Sequence, residues 1–166
     1  MPETSRPTSS TDRQKSEGSG AQPPRAQSVS AVQPPGGSPD PGCLNILLVD
    51  DEPELRYLMS RLLQMSGHRT TTAIDGYDAL SKIEKDGGFD LVVMDQNMPG
   101  MKGENAIDKI RERGWNTPIL VTSGDLDLLD SPALKQPGVA VIAKPFNMPE
   151  LLEKAFELVA ASARTR

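Results

Sequence analysis

Five short apolar runs, separated by segments with helical periodicity, restrict the possible folds of this chain more than any other feature. The runs occupy residues 45–50, 69–73, 90–94, 118–122 and 139–143. Runs of this length that alternate with helices are typical of repeated βα units, whose strands form a parallel sheet. We therefore expect an α/β fold with helices on both faces of the sheet and ligands in the crevice beyond the carboxyl ends of the strands.

Helical segments separate the runs. The first is predicted to span Pro53 to Gly67, because proline suits a first helical turn and glycine suits a helix end. The apolar residues of this segment that recur at helical spacing are Leu55, Leu58, Leu62 and Met65. We expect this stripe to face the sheet. Met59 and Leu63, beside it, either help to cover the sheet or extend a docking face.

The remaining helices differ in how strongly the sequence predicts them. Three are expected at residues 76–87, 103–114 and 148–161. In the last of these, Phe156 is predicted to face inward. Between the fourth and fifth runs, Pro132 and Pro137 oppose a continuous helix. We therefore expect five helices in all, of which the fourth is short, broken or mobile.

The amino-terminal segment has a different composition from the rest of the chain. Residues 1–42 contain 8 Pro, 8 Ser and 5 Gly, and their acidic and basic residues balance. Such a segment buries too little apolar surface to offset the conformational entropy lost on folding. We expect a disordered extension over residues 1–43, a folded domain over residues 44–161 and a short tail over residues 162–166.

Net charge and cysteine content exclude several classes of protein. The formal net charge is −5, and since residues 1–42 are neutral it belongs to the folded domain, which disfavours nucleic acid and anionic membranes as partners. The one cysteine, Cys43, excludes an intramolecular disulfide. No run approaches the roughly 20 apolar residues that span a bilayer, and the amino terminus lacks a signal-peptide core. We expect a cytoplasmic protein that neither binds DNA directly nor inserts into a membrane.

Polar side chains follow four of the five runs, at the point where each strand is expected to end. They are Asp50 and Asp51 after the first run, Asp95 after the third, Thr122 and Ser123 at the end of the fourth, and Lys144 after the fifth. Because the carboxyl ends of parallel strands lie along one edge of a sheet, we expect these groups to share one crevice.

The residue types in this crevice suggest a reaction. Three carboxylates repel one another unless a cation neutralises them, and oxygen ligands suit Mg²⁺, which retains waters and leaves a position for a phosphoryl oxygen. A lysine and a hydroxyl would bind the other oxygens of a phosphoryl group during its transfer. The sequence therefore predicts magnesium-dependent phosphoryl transfer onto a carboxylate. His68 stands apart from these groups and is predicted to be solvated.

Four short motifs, taken in order, make the chain resemble the receiver domains of response regulators in two-component signalling. The motifs are the acidic pair Asp50–Asp51, the D-x-x-M-P-G pattern from Asp95 to Gly100, the pair Ser123–Gly124 and the pair Lys144–Pro145. The resemblance covers residues 45–166. It implies a flavodoxin-like, doubly wound parallel sheet with strand order 2-1-3-4-5.

The resemblance also implies a role for each residue of the crevice. Asp95 resembles the phosphorylated aspartate. Asp51 resembles the direct magnesium ligand, and Asp50 resembles the acid that binds the metal through water. Asn97 corresponds to the residue whose backbone carbonyl joins the metal, for which Mn²⁺ is an alternative to Mg²⁺. Lys144 matches the lysine that pairs with the phosphoryl group.

Further positions are implied to control the phosphorylated state. Ser123 matches the hydroxyl residue that moves to the phosphoryl group, with Thr122 beside it in a minor role. The peptide bond before Pro145 is expected to be cis. Asn97 and Asp125 match the positions that tune dephosphorylation, and since both side chains can orient water, we expect a short phosphoryl lifetime.

One position departs from the family pattern. Receivers usually carry an aromatic residue three positions before the lysine, where this chain has Val141. A valine cannot make the inward swing of an aromatic ring. The coupling of phosphorylation to the outer surface is therefore expected to differ from that of the commonest receivers.

A stand-alone phosphoacceptor signalling module, not a typical enzyme, is the function that the resemblance implies. The donor would be a phosphohistidine of a sensor histidine kinase or of a histidine phosphotransfer protein. Because only a few residues follow the last predicted helix, the output is expected to be contact with an unidentified protein target. Two alternatives stay open. One is a degenerate receiver used as a scaffold, which usually lacks a key residue; the other is a phosphatase with an aspartate nucleophile, which usually has a second acid where Asn97 stands.

Overall fold

The computed structural model of the chain describes residues 42–125 and 131–164. Of the predicted disordered extension over residues 1–43, all but residues 42 and 43 lie outside the described part. The strands are β1 (Asn45–Val49), β2 (Arg69–Ala73), β3 (Leu91–Asp95), β4 (Ile119–Ser123) and β5 (Val139–Ala143). The helices are α1 (Pro53–Met65), α2 (Gly76–Asp86), α3 (Gly103–Glu112) and α4 (Met148–Ala163).

The five strands form one parallel sheet with the order β2-β1-β3-β4-β5. The predicted flavodoxin-like, doubly wound α/β fold and its strand order are confirmed. Strands β3 and β4 are buried at every position, as expected for central strands covered on both faces. The strand order reverses between β1 and β3, which places the ligand crevice of such a sheet at the carboxyl ends of these strands.

Apolar side chains form one core on each face of the sheet. The α2/α3 core includes Val92 and Met94 of β3 and Val121 of β4, together with residues of α2 and α3. The α1/α4 core includes Val93 and Leu120, together with residues of α1 and α4. Because alternate residues of a strand point to opposite faces, this division fixes the face on which each strand-end residue lies.

The described residues contain four α-helices, so the prediction of five is wrong. Where the fourth was expected, Pro132–Lys135 forms a short 3-10 helix, and residues 126–130 lie outside the described part. Gln136, which precedes Pro137, has an extended backbone with φ −69° and ψ 151°, as the proline ring requires of its neighbour, and this ends the turn. No helix in the described part of the chain is both long enough and apolar enough to cross a bilayer.

Helix α1 turns a different stripe toward the sheet than the sequence predicts. Met59 and Leu63 are buried, whereas Leu58 is 54% exposed and Met65 is 78% exposed. The prediction that Leu58 and Met65 face the sheet is therefore wrong. Of the predicted stripe, Leu55 does pack against the α1/α4 core. The reason is that α1 carries apolar residues around much of its surface, so that spacing alone does not fix which stripe is buried.

His68 is buried, and the prediction that it is solvated is wrong. Its Nδ1 atom accepts a hydrogen bond from the Leu44 N–H at 3.3 Å. Its ring packs edge-on against Phe156, with 5.5 Å between ring centroids. Phe156 is itself 41% exposed, so it covers His68 from the solvent side. The prediction that Phe156 faces inward is therefore wrong. Burial lowers the pKa of His68, which favours the neutral imidazole that can accept this hydrogen bond.

Candidate functional site

Four polar residues lie side by side where adjacent strands end. They are Asp50 after β1, Asp95 at the end of β3, Thr122 in β4 and Lys144 after β5. Each stands two positions beyond a strand residue of the α1/α4 core, so all four side chains point to the same face of the sheet. For these four groups, the geometry agrees with the sequence prediction of a shared crevice, which also included Asp51 and Ser123.

Asp95 lies at the centre of a hydrogen-bonded group. Lys144 Nζ is 2.9 Å from Asp95 Oδ1, and Thr122 Oγ1 donates to the same oxygen at 3.3 Å. The side chain of Asp95 is 11% exposed and that of Lys144 is 30% exposed, so water screens this ion pair only in part. In the described part of the chain both bonds go to Oδ1. The other carboxylate oxygen, Oδ2, therefore remains available to a reactant.

Asp50 is a buried carboxylate beside this pair. Burial is the main reason that its pKa is raised, and repulsion from the Asp95 and Asp51 carboxylates adds to the rise. Two interactions oppose it: the Glu52 N–H donates to Asp50 Oδ1 at 2.8 Å, and the Lys144 charge favours the ionised form. The raised pKa therefore reflects mainly the loss of hydration of the Asp50 carboxylate, with repulsion from the neighbouring carboxylates as a smaller cause.

The residues at this edge fit a magnesium ion in their chemistry. The side chains of Asp50, Asp51 and Asp95 and the backbone carbonyl of Asn97 are all oxygen donors, which Mg²⁺ prefers, and the Asp50 carboxylate is repelled by those of Asp95 and Asp51. Asp51 and Asn97 are exposed, so an ion in solution can reach them. Among the described residues, no three acidic, histidine or cysteine side chains already surround one point. Instead, Lys144 is the cation beside Asp95.

Ser123 lies on the opposite face from Asp95 in this structure. Its hydroxyl donates to the Asp125 carbonyl oxygen at 2.8 Å and accepts from the Asp125 N–H at 3.1 Å. Ser123 is buried, whereas Asp125 is exposed. Of the two hydroxyl residues predicted for the crevice, the structure therefore brings Thr122, and not Ser123, into contact with Asp95.

The fifth strand supplies the lysine and the position of the missing aromatic residue. The Lys144–Pro145 peptide bond is cis, and the Lys144 N–H donates to the Ser123 carbonyl oxygen at 2.7 Å. Val141 pairs with Val121 in the sheet and packs against the α2/α3 core. Val141 therefore lies on the same face as Ser123, where it is held by apolar contacts.

Three residues that shape this site were overlooked in the sequence. Gln96, directly after Asp95, is fully buried, and neither its Oε1 nor its Nε2 has a hydrogen-bond partner in the part of the chain that the structure describes. Gly103, the first residue of α3, has its backbone N–H bonded to the Gln96 carbonyl oxygen at 3.0 Å. Arg56 of α1 donates from Nη1 to the Asp50 carbonyl oxygen at 2.5 Å. A glutamine placed directly after the apolar run LVVMD was the one visible signal among these.

Comparison with known proteins gives consistent matches. A family model for the response regulator receiver domain matches residues 46–156. The transcriptional regulatory protein TcrA of Mycobacterium tuberculosis is 32% identical over 112 residues, which cover 67% of this chain and 44% of TcrA. The chain therefore spans less than half the length of this relative.

A second relative and a solved structure match over nearly their whole lengths. The chemotaxis protein CheY-3 of Vibrio cholerae is 37% identical over 121 residues, which cover 69% of this chain and 92% of CheY-3. The crystal structure of the response regulator TrrA from Thermotoga maritima, in complex with Mg(2+)-BeF, superposes with a TM-score of 0.63 at 33% identity, and the match covers 69% of this chain and 98% of TrrA.

Proposed function

The chain belongs to the response regulator receiver domain family over residues 46–156, and on this premise we propose that it accepts a phosphoryl group on Asp95 from a phosphohistidine. Receiver domains of this family are phosphoacceptor signalling domains of two-component systems, not typical enzymes. The observation that carries the proposal is the contact of Lys144 with Asp95 Oδ1 at 2.9 Å, next to the buried carboxylate of Asp50.

The proposed transfer uses the oxygen of Asp95 that the lysine leaves available. Oδ2 of Asp95 attacks the phosphorus of the donor, a P–O bond forms, the P–N bond to the donor histidine breaks, and the imidazole leaves with the electron pair. Lys144 then pairs with an oxygen of the transferred group, and Ser123 turns toward another. Thr122 stays against the carboxylate as a minor contact. These groups supply charge and position, which is most of what phosphoryl transfer requires.

A magnesium ion is the proposed cofactor, with Mn²⁺ as a substitute. Asp51 would hold it directly, Asp50 through water, and Asp95 and the Asn97 carbonyl would complete the protein ligands. When bound, the ion would neutralise charge that builds up on the phosphoryl oxygens. The repulsion of the Asp50 carboxylate by those of Asp95 and Asp51, which a cation would relieve, supports this assignment. The complex of TrrA with Mg(2+)-BeF supports it by analogy.

The donor and the output are proposed at the level of their chemistry. A sensor histidine kinase or a histidine phosphotransfer protein would supply the phosphoryl group in the cytoplasm. The output would be contact with a protein target, without direct DNA binding or membrane insertion, which agrees with the net charge of −5. Val141 stands where receivers usually carry an aromatic residue. The output surface would therefore respond to phosphorylation without the inward swing of an aromatic ring.

The test is the intact mass of the protein after incubation with a small-molecule phosphodonor, with and without Mg²⁺. We expect wild type to gain one phosphoryl group only with the ion, and we expect hydroxylamine to remove it, because hydroxylamine cleaves acyl phosphates and leaves phosphoserine intact. Asp95→Asn should gain nothing. The matched control is Asp86→Asn, at an exposed aspartate of α2, which should behave as wild type.

Two outcomes would support the alternatives. No gain in wild type, with either a small donor or a phosphorylated histidine protein, would refute the proposal and leave a scaffold. Continued release of phosphate from an ester substrate, abolished in Asp95→Asn, would instead indicate a phosphatase with an aspartate nucleophile.

A further inference from the structure

A buried glutamine beside the proposed phosphoacceptor has no hydrogen-bond partner in the structure. Gln96 is 0% exposed, and among residues 42–125 and 131–164 neither its amide oxygen nor its amide nitrogen has a hydrogen-bond partner. The great majority of buried polar side-chain atoms in proteins have a partner, because an unpaired buried amide loses its hydration without compensation. A buried amide that is unpaired in one state of a protein is suited to acquire partners in another.

The backbone of Gln96 is held on both sides. Its N–H donates to the Thr122 carbonyl oxygen at 2.9 Å, and its carbonyl oxygen accepts from the Gly103 N–H at 3.0 Å. A Cβ atom built on Gly103 would lie 2.8 Å from Gln96 Oε1, so the side chain lies directly against the start of α3. Gln96 thus follows Asp95 directly, with its main chain hydrogen-bonded on both sides and its amide at the end of a flexible side chain.

The strand register places this amide beside Ser123. Asp95 pairs with Thr122, so one position further along both strands Gln96 is the neighbour of Ser123. The alternation that puts Met94 and Val121 in the α2/α3 core puts Gln96 and Ser123 on that same face. The strand residues next to them on this face, Met94, Val121 and Val141, are apolar. Among the strand residues of this face, Ser123 is thus the polar neighbour of the Gln96 amide.

The Ser123 hydroxyl acts both as a hydrogen-bond donor and as an acceptor, as a side-chain amide can. The Ser123 hydroxyl donates to the Asp125 carbonyl oxygen and accepts from the Asp125 N–H. A glutamine amide also combines one donor group, Nε2, with one acceptor, Oε1. The two side chains therefore offer matching hydrogen-bonding groups.

We infer that Gln96 is a positioning residue for Ser123. When the Ser123 hydroxyl turns to the phosphoryl group on Asp95, the Gln96 amide takes over the backbone of Asp125, with Nε2 donating to its carbonyl oxygen and Oε1 accepting from its N–H. The exchange gives the buried amide its missing partners and holds the β4 end in the altered position. This inference rests on the proposed function and adds a residue that stabilises the phosphorylated state.

The test uses Gln96→Met, which keeps the length of the side chain and removes its polar atoms. The probe is beryllofluoride with Mg²⁺, a mimic of the phosphoryl group. Loss of two ordinary hydrogen bonds in the bound state should weaken binding of the mimic roughly ten- to thirty-fold, measured by isothermal titration calorimetry. The Tm without the mimic should stay the same or rise, because the variant no longer buries an unpaired amide. A merely structural role would lower the Tm and leave the affinity for the mimic nearly unchanged.

The matched control is Thr70→Val. Thr70 Oγ1 is also buried and unpaired, but it lies on the edge strand β2, away from the crevice. Its substitution should leave the affinity for the mimic unchanged. In a Ser123→Ala background, Gln96→Met should add little further weakening, because both changes remove the same exchange.

An NMR measurement on wild type tests the role of Gln96 even if Gln96→Met fails to fold. The Gln96 side-chain amide resonances in a ¹⁵N spectrum should shift on addition of the mimic, and their exchange with water should slow. If wild type binds the mimic while these resonances stay in place, or if Gln96→Met binds it as tightly as wild type, the role of Gln96 is refuted and the proposed function stands. If wild type neither binds the mimic nor gains a phosphoryl group, both are refuted.

Discussion

Gly103→Ala should disturb the proposed phosphoacceptor from the start of the neighbouring helix. A Cβ atom at Gly103 would lie 2.9 Å from the Asp95 carbonyl oxygen and 2.8 Å from Gln96 Oε1, and real Cβ contacts are essentially never that short. The Gln96 amide can rotate away. The Asp95 carbonyl is backbone at the end of β3, so relief of this contact requires a shift of α3 or of the strand end.

The expected cost follows from two opposing effects. Inserting one methyl group into a packed site typically costs about 1–3 kcal/mol. Alanine is better than glycine in a helix interior by up to about 1 kcal/mol, and by less at a first helical position such as Gly103. We therefore expect the free energy of unfolding to fall by about 1–2 kcal/mol, which lowers the Tm of a domain of this size by several degrees.

Urea unfolding, followed by circular dichroism, measures this loss, and the control is Gly42→Ala, where a Cβ atom would meet nothing within 4 Å. If the strand end shifts and not α3, the proposed phosphorylation of Asp95 in Gly103→Ala should also be slower than in wild type, because that strand end carries the carboxylate. A Gly103→Ala protein as stable as wild type, or more stable, would show that helix propensity outweighs the contact and would refute the reasoning.

Two further predictions concern the lifetime of the phosphorylated state and the response to pH. Asp125→Leu should lengthen the lifetime of the proposed acyl phosphate several-fold, because it removes a side chain that we propose orients the attacking water. Equal decay in wild type and variant, followed by intact mass over time, would contradict this. For His68, burial lowers the folded-state pKa below 6.5. Since the unfolded chain then takes up the proton first, the stabilising contribution of His68 is complete above pH 6.5 and is lost as the pH falls through the lower folded-state value. Urea unfolding between pH 7.5 and about pH 5 should show that His68→Asn loses less free energy of unfolding than wild type. The asparagine side-chain oxygen can still accept from the Leu44 N–H but does not titrate. An equal loss of free energy in both proteins would contradict the role of His68.

The fold and the grouping of three charged residues at one edge of the sheet were predictable because they depend on order along the chain. Parallel strands end at one edge of a sheet, so Asp50, Asp95 and Lys144 were placed together before any distance was known. The weak fourth helix was also visible, since two prolines interrupt it. The prediction counted this segment as a fifth helix, whereas the described residues between the two prolines form the short 3-10 helix Pro132–Lys135.

Other features depend on tertiary packing that one sequence does not encode locally. Helix α1 carries two overlapping apolar stripes, and contact with the sheet selects Met59 and Leu63 over Leu58 and Met65. The burial of His68 depends on Phe156, which lies far along the chain in α4. The hydrogen bonding of Ser123 to Asp125 depends on the conformation of the turn after β4, which residue types alone do not fix.

The all-parallel order of the sheet has a consequence for chains still being synthesised. No strand pairs with the next through a hairpin, and Lys144 meets Asp95 across 49 positions. Such distant pairings form late, because loop closure costs entropy before any contact is gained. When α3 has just left the ribosome, Asp95 has already been synthesised and exposed, but Lys144 has not yet emerged. The site proposed to take the phosphoryl group would thus be complete only after β5 has joined the sheet, and its phosphorylation would then report that folding is complete.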